Sequence, residues 1–300
     1  MNHYQNHKIS FIGVGRIGSL LASLLVTNGY KLCGFFDLEV AKCSRLQSKL
    51  GKGTIFADHR SLIRHSDVIF ITTVDDQIEA VVNTVMRTAE NLEGKFFLHT
   101  SGVLPSASMQ PLRDQGAAIA SFHPCVSVSA GSTNLKDVYF VMEGDHEALK
   151  LGAELAGVFQ GEPLSIPASS KTSYHFGAVL VSNFMVTICH EVMVLYKQAG
   201  INQDVAAKLL VPLLKSTVQN IEQRGVEASL TGPVARGDRQ TINRHLMVLP
   251  QLNSELALLS CQLYKVAINM AVSLGYINQH QGNLMLEDIH AVEKKGPGTE

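Results

Sequence analysis

The chain has no excess of charge of either sign. Its 25 Lys+Arg face 26 Asp+Glu, for a formal net charge of -1, so the electrostatic footprint of a nucleic-acid binder is absent. It has no C-x-x-C pair. The five cysteines, Cys33, Cys43, Cys125, Cys189 and Cys261, are scattered and odd in number, which argues against a disulfide framework or a zinc knuckle, and no metal site is expected. The apolar stretch 20–26 is far too short to span a bilayer, and residues 1–7 are polar where a secretory signal would be apolar. The expectation is a cytoplasmic chain with reduced thiols and no membrane partner. There is no internal repeat, and the only compositionally biased tract is the end, 293–300, whose Gly, Pro and charge content predicts a disordered tail.

What is present is length and periodicity. Three hundred residues, 46% of them apolar, exceed what one hydrophobic core usually serves and suggest two domains. Residues 8–12 form a compact β-rich run ending at glycine, and 17–28 carry apolar residues at helical spacing. A second strand at 31–36 and a helix at 38–50 complete a βαβ unit. Further strands are expected at 67–73, 95–100, 117–122 and 138–142, with helices at 78–89, 104–115 and 147–159. This alternation predicts an α/β fold with a doubly wound, largely parallel sheet. The segment 162–168 is extended and holds two prolines, and the domain boundary is placed there, giving a Rossmann domain over 1–166 and a second domain over 167–292. From 171 onward the pattern is helical (174–199, 202–219, 253–274), with Gly200 and Gly275 as stops, so the second domain reads as an all-α helical bundle.

Gly13-Val-Gly-Arg-Ile-Gly18 matches G-x-G-x-x-G, directly after a strand and at the opening of a helix. Gly13 permits the tight turn, Gly15 lets the backbone approach a pyrophosphate, and Gly18 allows close helix-to-strand packing. The helix N-terminus, with Arg16 and Ile17 in its first turn, offers free N–H groups to phosphate. Asp37 ends the second strand about twenty residues on, where a carboxylate accepts bonds from ribose hydroxyls and repels a 2′-phosphate. That favours NAD over NADP. The alternative for Asp37 is an N-cap of the following helix, and Arg16 could meet either the pyrophosphate or a 2′-phosphate.

His99-Thr-Ser-Gly102, Ser121-Phe-His-Pro124, Tyr174-His175 with Asn183, and Thr231-Gly-Pro-Val-Ala-Arg-Gly-Asp238 together resemble the Rossmann-like proteins of the 6-phosphogluconate dehydrogenase superfamily that carry a helical C-terminal domain of unknown function. The resemblance covers nearly the whole chain. Relatives by fold, among them ketopantoate reductase, pyrroline-5-carboxylate reductase, prephenate dehydrogenase and the deazaflavin-dependent NADP oxidoreductases, imply hydride transfer in a cleft between the domains, commonly in dimers. The resemblance further implies that Thr73, Val74 and Asp75 border the nicotinamide ribose and that Ser101 and Gly102 sit beside the nicotinamide. Both segments end strands, where open α/β sheets bind ligands. For Asp75 the competing role is the solvated start of the next helix.

Reduction of a carbonyl or imine needs a proton donor, and histidine suits that role near neutral pH. His123 follows a strand and precedes Pro124, on a loop where prephenate dehydrogenases have a similar His-Pro; it acts at the site or shapes the loop. His175 and Asn183 lie about two helical turns apart, on one face of a long helix, with Lys171 one turn before. In related superfamilies this helix carries a catalytic Lys and an Asn at four-residue spacing, which Lys171 and Asn183 do not reproduce, so His175 is preferred, with Asn183 orienting; a buried structural histidine is the alternative. Arg236 and Asp238 lie in a Gly/Pro-bounded loop, where Arg236 would capture a substrate carboxylate unless the pair caps the next helix. Cys125 reads as core filler.

These residues point to an NAD(P)-dependent oxidoreductase acting on a small carbonyl, imine, or hydroxy or amino acid. Catalytic roles fall to His123, His175 and Asn183, substrate contacts to Ser101, Arg236 and Asp238, and cofactor contacts to Gly13, Gly15, Arg16, Ile17, Gly18, Asp37, Thr73, Val74, Asp75, Ser101 and Gly102. A homodimer through the bundle is expected. Two alternatives stand: a non-catalytic dinucleotide-binding sensor or interaction protein, and an NADP oxidoreductase coupled to a deazaflavin or flavin, which a basic residue near Asp37 would favour.

Overall fold

The computed structural model describes residues 3–89, 91–129 and 131–295. The chain divides into two compact units, Met1–Phe184 and Met185–Glu300.

The first unit is built on an eight-stranded sheet. Its strands are β1 (Lys8–Ile12), β2 (Lys31–Phe36), β3 (Thr54–Ile55), β4 (Val68–Ile71), β5 (Phe96–His99), β6 (Ala118–Pro124), β7 (Tyr139–Gly144) and β8 (Glu162–Ser165), in the order β3-β2-β1-β4-β5-β6-β7-β8. All neighbours pair in parallel except β6 with β7. The order reverses at β1, which is flanked by β2 and β4, and this switch point opens a crevice at the carboxyl ends of the strands. The connections include α1 (Arg16–Thr27), α2 (Val40–Leu50), α3 (His59–Arg64), α4 (Asp75–Thr88), α5 (Gln110–Asp114) and α6 (His146–Val158). Parallel strands covered on both faces need apolar side chains on both, and β4 is buried at every residue. Phe11 stacks on Phe70 at 5.1 Å and Phe122 on Phe140 at 4.6 Å, all four rings fully buried.

Several expectations are corrected. The short pair β3 and α3 lies between the second and the next long strand, where two residues of strand and six of helix are too brief for a periodicity to register. The helix expected at 104–115 is a 3₁₀ turn, Ser106–Met109, followed by the five-residue α5. His123 lies inside β6, opposite Val141, rather than on a loop. The extended segment after 161 does begin as a strand, the edge strand β8, which tolerates Pro163 because it pairs on one side only. The helix expected across 174–199 is two helices, α7 (Lys171–Val181) and α8 (Asn183–Gln198), interrupted at Ser182, whose ψ of -75 departs from helical geometry. His175 and Asn183 therefore sit on different helices. The compact units part after Phe184, where 166/167 was expected, because Lys171 is buried against the sheet and ties α7 to it.

The second unit is helical: α9 (Gln203–Arg224), α10 (Gly232–Ala235), α11 (Arg239–Leu246), α12 (Ser254–Ser273) and α13 (Gln279–Lys295) follow α8. Its core joins Val234, Ile242, Leu246, Cys261, Ile268, Met285 and Ile289, contributed by α10 to α13. The helix α13 was not expected; it extends through 293–295, the start of the expected tail, and 296–300 lie outside the described residues. By contrast α8 buries no residue and α9 buries only Ala206. Two helical stretches, Ala168–Gln198 and Ser254–Ser273, are long and apolar enough to cross a membrane, at mean hydropathy 1.8 and 1.3.

Candidate active site

The glycine loop leaves β1 and enters α1. Gly13 has φ +89, and a Cβ there would press to 2.9 Å on the backbone of Thr72 and Thr73; one on Gly18 would collide with Thr72 Oγ1 and Gly13 O. These two glycines answer to packing inside the protein. Gly15 differs: a Cβ there meets nothing within 4 Å. Packing does not require that glycine, whereas a ligand lying on the backbone would.

The loop opens onto a cleft of about 360 Å³ whose lining includes Gly13, Gly15, Asp37, Thr73 and Val74, with Glu39, Lys42 and His59 also on its wall. Leu38 and Val74 are 87% and 71% exposed at the cleft, apolar surface of the kind a flat aromatic ring covers. Thr73 Oγ1 is buried without a hydrogen-bond partner among the described residues, a polar atom that a bound hydroxyl or phosphate would satisfy. Asp37 does neither of the two things expected alone. Its Oδ2 accepts from Val14 N at 2.8 Å and its Oδ1 from Glu39 N at 2.9 Å, while the cap residue of α2 is Glu39. The carboxylate therefore ties the glycine loop to the end of β2 and keeps lone pairs for ribose hydroxyls. Lys42 supplies a cation beside it, bonded to Glu39 Oε1 at 2.6 Å. Arg16 is exposed at the first turn of α1, and Asp75 opens α4 with Val74 as its cap residue. The residues fit a dinucleotide.

A second polar cluster stands at the end of β5 and β6. His123 Nδ1 is 2.7 Å from the Tyr174 hydroxyl, and the His123 ring lies 5.8 Å from that of His175. Gly102 is wedged between the histidines: a Cβ there would overlap the His175 ring and reach His123 Nε2 at 2.9 Å. Burial, then the charges of Lys171 and His175, push His123 down to about 4, so its imidazole is neutral at physiological pH. Burial and the neighbouring Cys125 thiol push the Tyr174 phenol up. Cys125 itself is exposed, against the expectation of core filler.

Ser101 is more fully engaged than expected of a substrate ligand. Its N–H donates to His99 Nδ1 at 3.2 Å, and its hydroxyl oxygen accepts from Val103 N and Leu104 N, so the side chain builds the turn that presents Gly102. Lys171, set aside at first, is 1% exposed and donates to Ser101 O at 2.9 Å and to Ser121 Oγ. Tyr174 and Lys171 are the residues that sequence reasoning underrated. The signal was the Lys171, Tyr174, His175 spacing on one helix, which places all three within about one turn.

Asn183 is exposed on α8 and accepts from Ser182 Oγ at 2.9 Å. In the second unit Asp238 caps α11, accepting from Thr241 N at 3.0 Å and Thr241 Oγ1 at 2.7 Å. Nearby, Arg239 Nε and Nη2 donate to the two oxygens of Asp288. Arg236 is exposed.

Comparison with curated proteins gives no match. Residues 3–124 match the Rossmann-like domain and residues 138–275 the domain of unknown function DUF2520. Among solved structures, the chain is similar to the Bacteroides fragilis protein BF3122, assigned as an NADP oxidoreductase, at 18% identity and TM-score 0.73 over 88% of this chain and 99% of that one. It is similar to protein TM1727 of Thermotoga maritima at 26% identity and TM-score 0.70, over 88% and 98% of the two chains. A reductive aminase of Aspergillus terreus, in complex with NADPH and ethyl-5-oxohexanoate, aligns at 15% identity and TM-score 0.60 over 98% and 96%. The chain is thus a Rossmann-like protein with a C-terminal DUF2520 domain.

Proposed function

We propose that this protein is an NAD(P)-dependent reductase of small carbonyl or imine compounds, with NAD preferred. The observation that carries the reading is the company Gly102 keeps. On the carboxyl edge of the sheet that forms the dinucleotide cleft, two histidines close on a backbone position with no room for a side chain, and a tyrosine is bonded to one of them. The bound dinucleotide would supply hydride to the substrate carbon. The chain's own part is to hold the dinucleotide by the glycine loop, Asp37 and Thr73, and to deliver a proton to the developing oxygen or nitrogen from the His123 and Tyr174 pair, with His175 beside it. The names of the similar structures, an NADP oxidoreductase and a reductive aminase, agree with this class of chemistry.

The preference for NAD follows from charge. Asp37 and Glu39 face the cleft with Lys42 between them, so the ribose end carries two carboxylates against one ammonium and disfavours a 2′-phosphate. The cation that a flavin- or deazaflavin-coupled NADP enzyme would use is present in Lys42, but Glu39 already engages it.

A homodimer through the helical unit is part of the reading. On α9, Val205, Leu209 and Leu213 recur at helical spacing, 43%, 47% and 59% exposed, a stripe wide enough to bury against a partner. Sedimentation of the purified protein at micromolar concentration should give twice the chain mass of 32.6 kDa; a monomer would remove this element. For the chemistry, screening 2-keto acids and cyclic imines with NADH, then repeating the productive pair with H175A, should show turnover lost and dinucleotide affinity retained. Full activity in a variant lacking both His123 and His175 would instead support a dinucleotide-binding sensor without turnover.

A further inference from the structure

The buried amine of Lys171 is the charged group that this chemistry leaves without a task. Its bonds go to neutral oxygens, Ser101 O at 2.9 Å and Ser121 Oγ, and Ser121 Oγ also donates to Ser101 O at 3.3 Å. Burying an ammonium on neutral acceptors is costly, and a methionine would fill the same space without that cost. The position therefore calls for an explanation in the groups around it. Three titratable side chains besides His123 interact with the amine, Asp75 from α4, Glu143 from β7 and His99 from β5, while His175 from α7 acts beside it on His123. Glu143 is committed to Ser106, accepting from its N–H at 2.6 Å and its hydroxyl at 2.7 Å. Burial brings the amine down to about 8, against Glu143 and Asp75, which hold its proton on. Its charge in turn disfavours protonation of both His99 and His123.

Geometry gives the amine a second effect. The carbonyl it holds belongs to the residue before Gly102, the position wedged between His123 and His175. Its own helix presents Tyr174 and His175 about one turn further on. One side chain thus ties the β5 turn, β6 and α7 together at the point where the histidine and tyrosine pair is assembled. We propose that Lys171 is a positioning residue: it clamps the Ser101–Gly102 turn to β6 and α7 and, while protonated, adds a positive charge to the surroundings of His123, the histidine that pairs with Tyr174. The inference rests on the reductase reading only for the use made of that pair.

The test is the titration of His123 itself, followed by imidazole NMR in the full chain, with the resonance assigned through H123Q. In K171M, folded by circular dichroism, the midpoint of His123 should rise by about one pH unit or more toward the ordinary histidine range, and K171R should return it to the wild-type position. An unchanged midpoint in folded K171M overturns the proposal. Should K171M fail to fold, the wild-type protein decides: the neutral His123 resonance should show an inflection near pH 8 as Lys171 loses its proton, and a flat trace from about pH 6 to about pH 10 overturns it. Neither arm uses dinucleotide, so a protein that binds none would remove the reductase reading while this result stood on its own.

Discussion

The Tyr174 hydroxyl lies 2.7 Å from Nδ1 of His123, although one residue comes from a helix and the other from the interior of a strand 51 positions earlier. A neutral imidazole has one nitrogen that accepts and one that donates. If the phenol donates to Nδ1, Nε2 carries the proton and points toward Gly102, which it approaches within van der Waals reach. The pair then moves a proton from solvent side to site side without either group having to ionise on its own.

Removing the phenol should therefore cost turnover and little else. Y174F is expected to keep NADH affinity within about threefold and lower kcat by roughly a hundredfold, the contribution usual for a positioned proton donor. Stopped-flow oxidation of bound NADH with the productive substrate reads it; an unaltered rate would exclude Tyr174 from proton delivery.

The glycine loop separates binding from folding. Because a Cβ on Gly15 meets only open space, G15A should leave the melting temperature unchanged while dinucleotide affinity falls by roughly a hundredfold. G13A meets the Thr72 backbone and must adopt a positive φ, so it should lose stability by about 2 kcal/mol or more. Normal NADH binding by G15A would contradict the placement of the pyrophosphate.

Asp37 makes a sharper forecast than its motif alone. Since the carboxylate also holds Val14 N and Glu39 N, D37A loosens the loop that any dinucleotide uses. Isothermal titration should show NADH and NADPH both weakened, NADH by the larger factor. An NADPH affinity that improves outright would mean that the carboxylate acts on the ribose alone.

The histidines set an acid limit on stability. His99, pushed down to about 3 by burial and then by Lys171, and His123, down to about 4, each bind fewer protons folded than unfolded, where their value is 6.5. Stability is full above about pH 6.5 and declines as the pH falls toward those lowered values, by on the order of several kcal/mol in all at about 1.4 kcal/mol per unit. Urea midpoints measured from about pH 7 to about pH 4 should fall steeply; in H99Q the fall should be shallower, and an equal slope would contradict a buried neutral His99.

The parallel sheet was legible because buried strands such as 68–71 are continuous apolar runs and because the glycines sit where strand gives way to helix. What escaped has physical reasons. The break at Ser182 falls between the apolar runs 178–181 and 184–186 with no glycine or proline at the junction, so His175 and Asn183 looked like one helix face. The placement of His123 in β6 depended on its pairing with Val141, a long-range contact that a terminal Pro124 disguised. Lys171 reads as a surface residue by type, and only its bonds to Ser101 and Ser121 reveal it as an interior one. The two roles of Asp238 could not be separated in the sequence because an N-cap and a ligand-binding carboxylate use the same residue type at the same loop position; the structure shows the cap.

The central claim is that the cleft beside Gly15 holds a nicotinamide dinucleotide, and titration of the purified protein with NADH and NADPH, read by nicotinamide fluorescence and by thermal shift, tests it most directly. The account predicts micromolar binding of NADH, weaker binding of NADPH, and a raised melting temperature with each. No fluorescence change and no shift with either would contradict it and leave a Rossmann-like domain that does not bind dinucleotide.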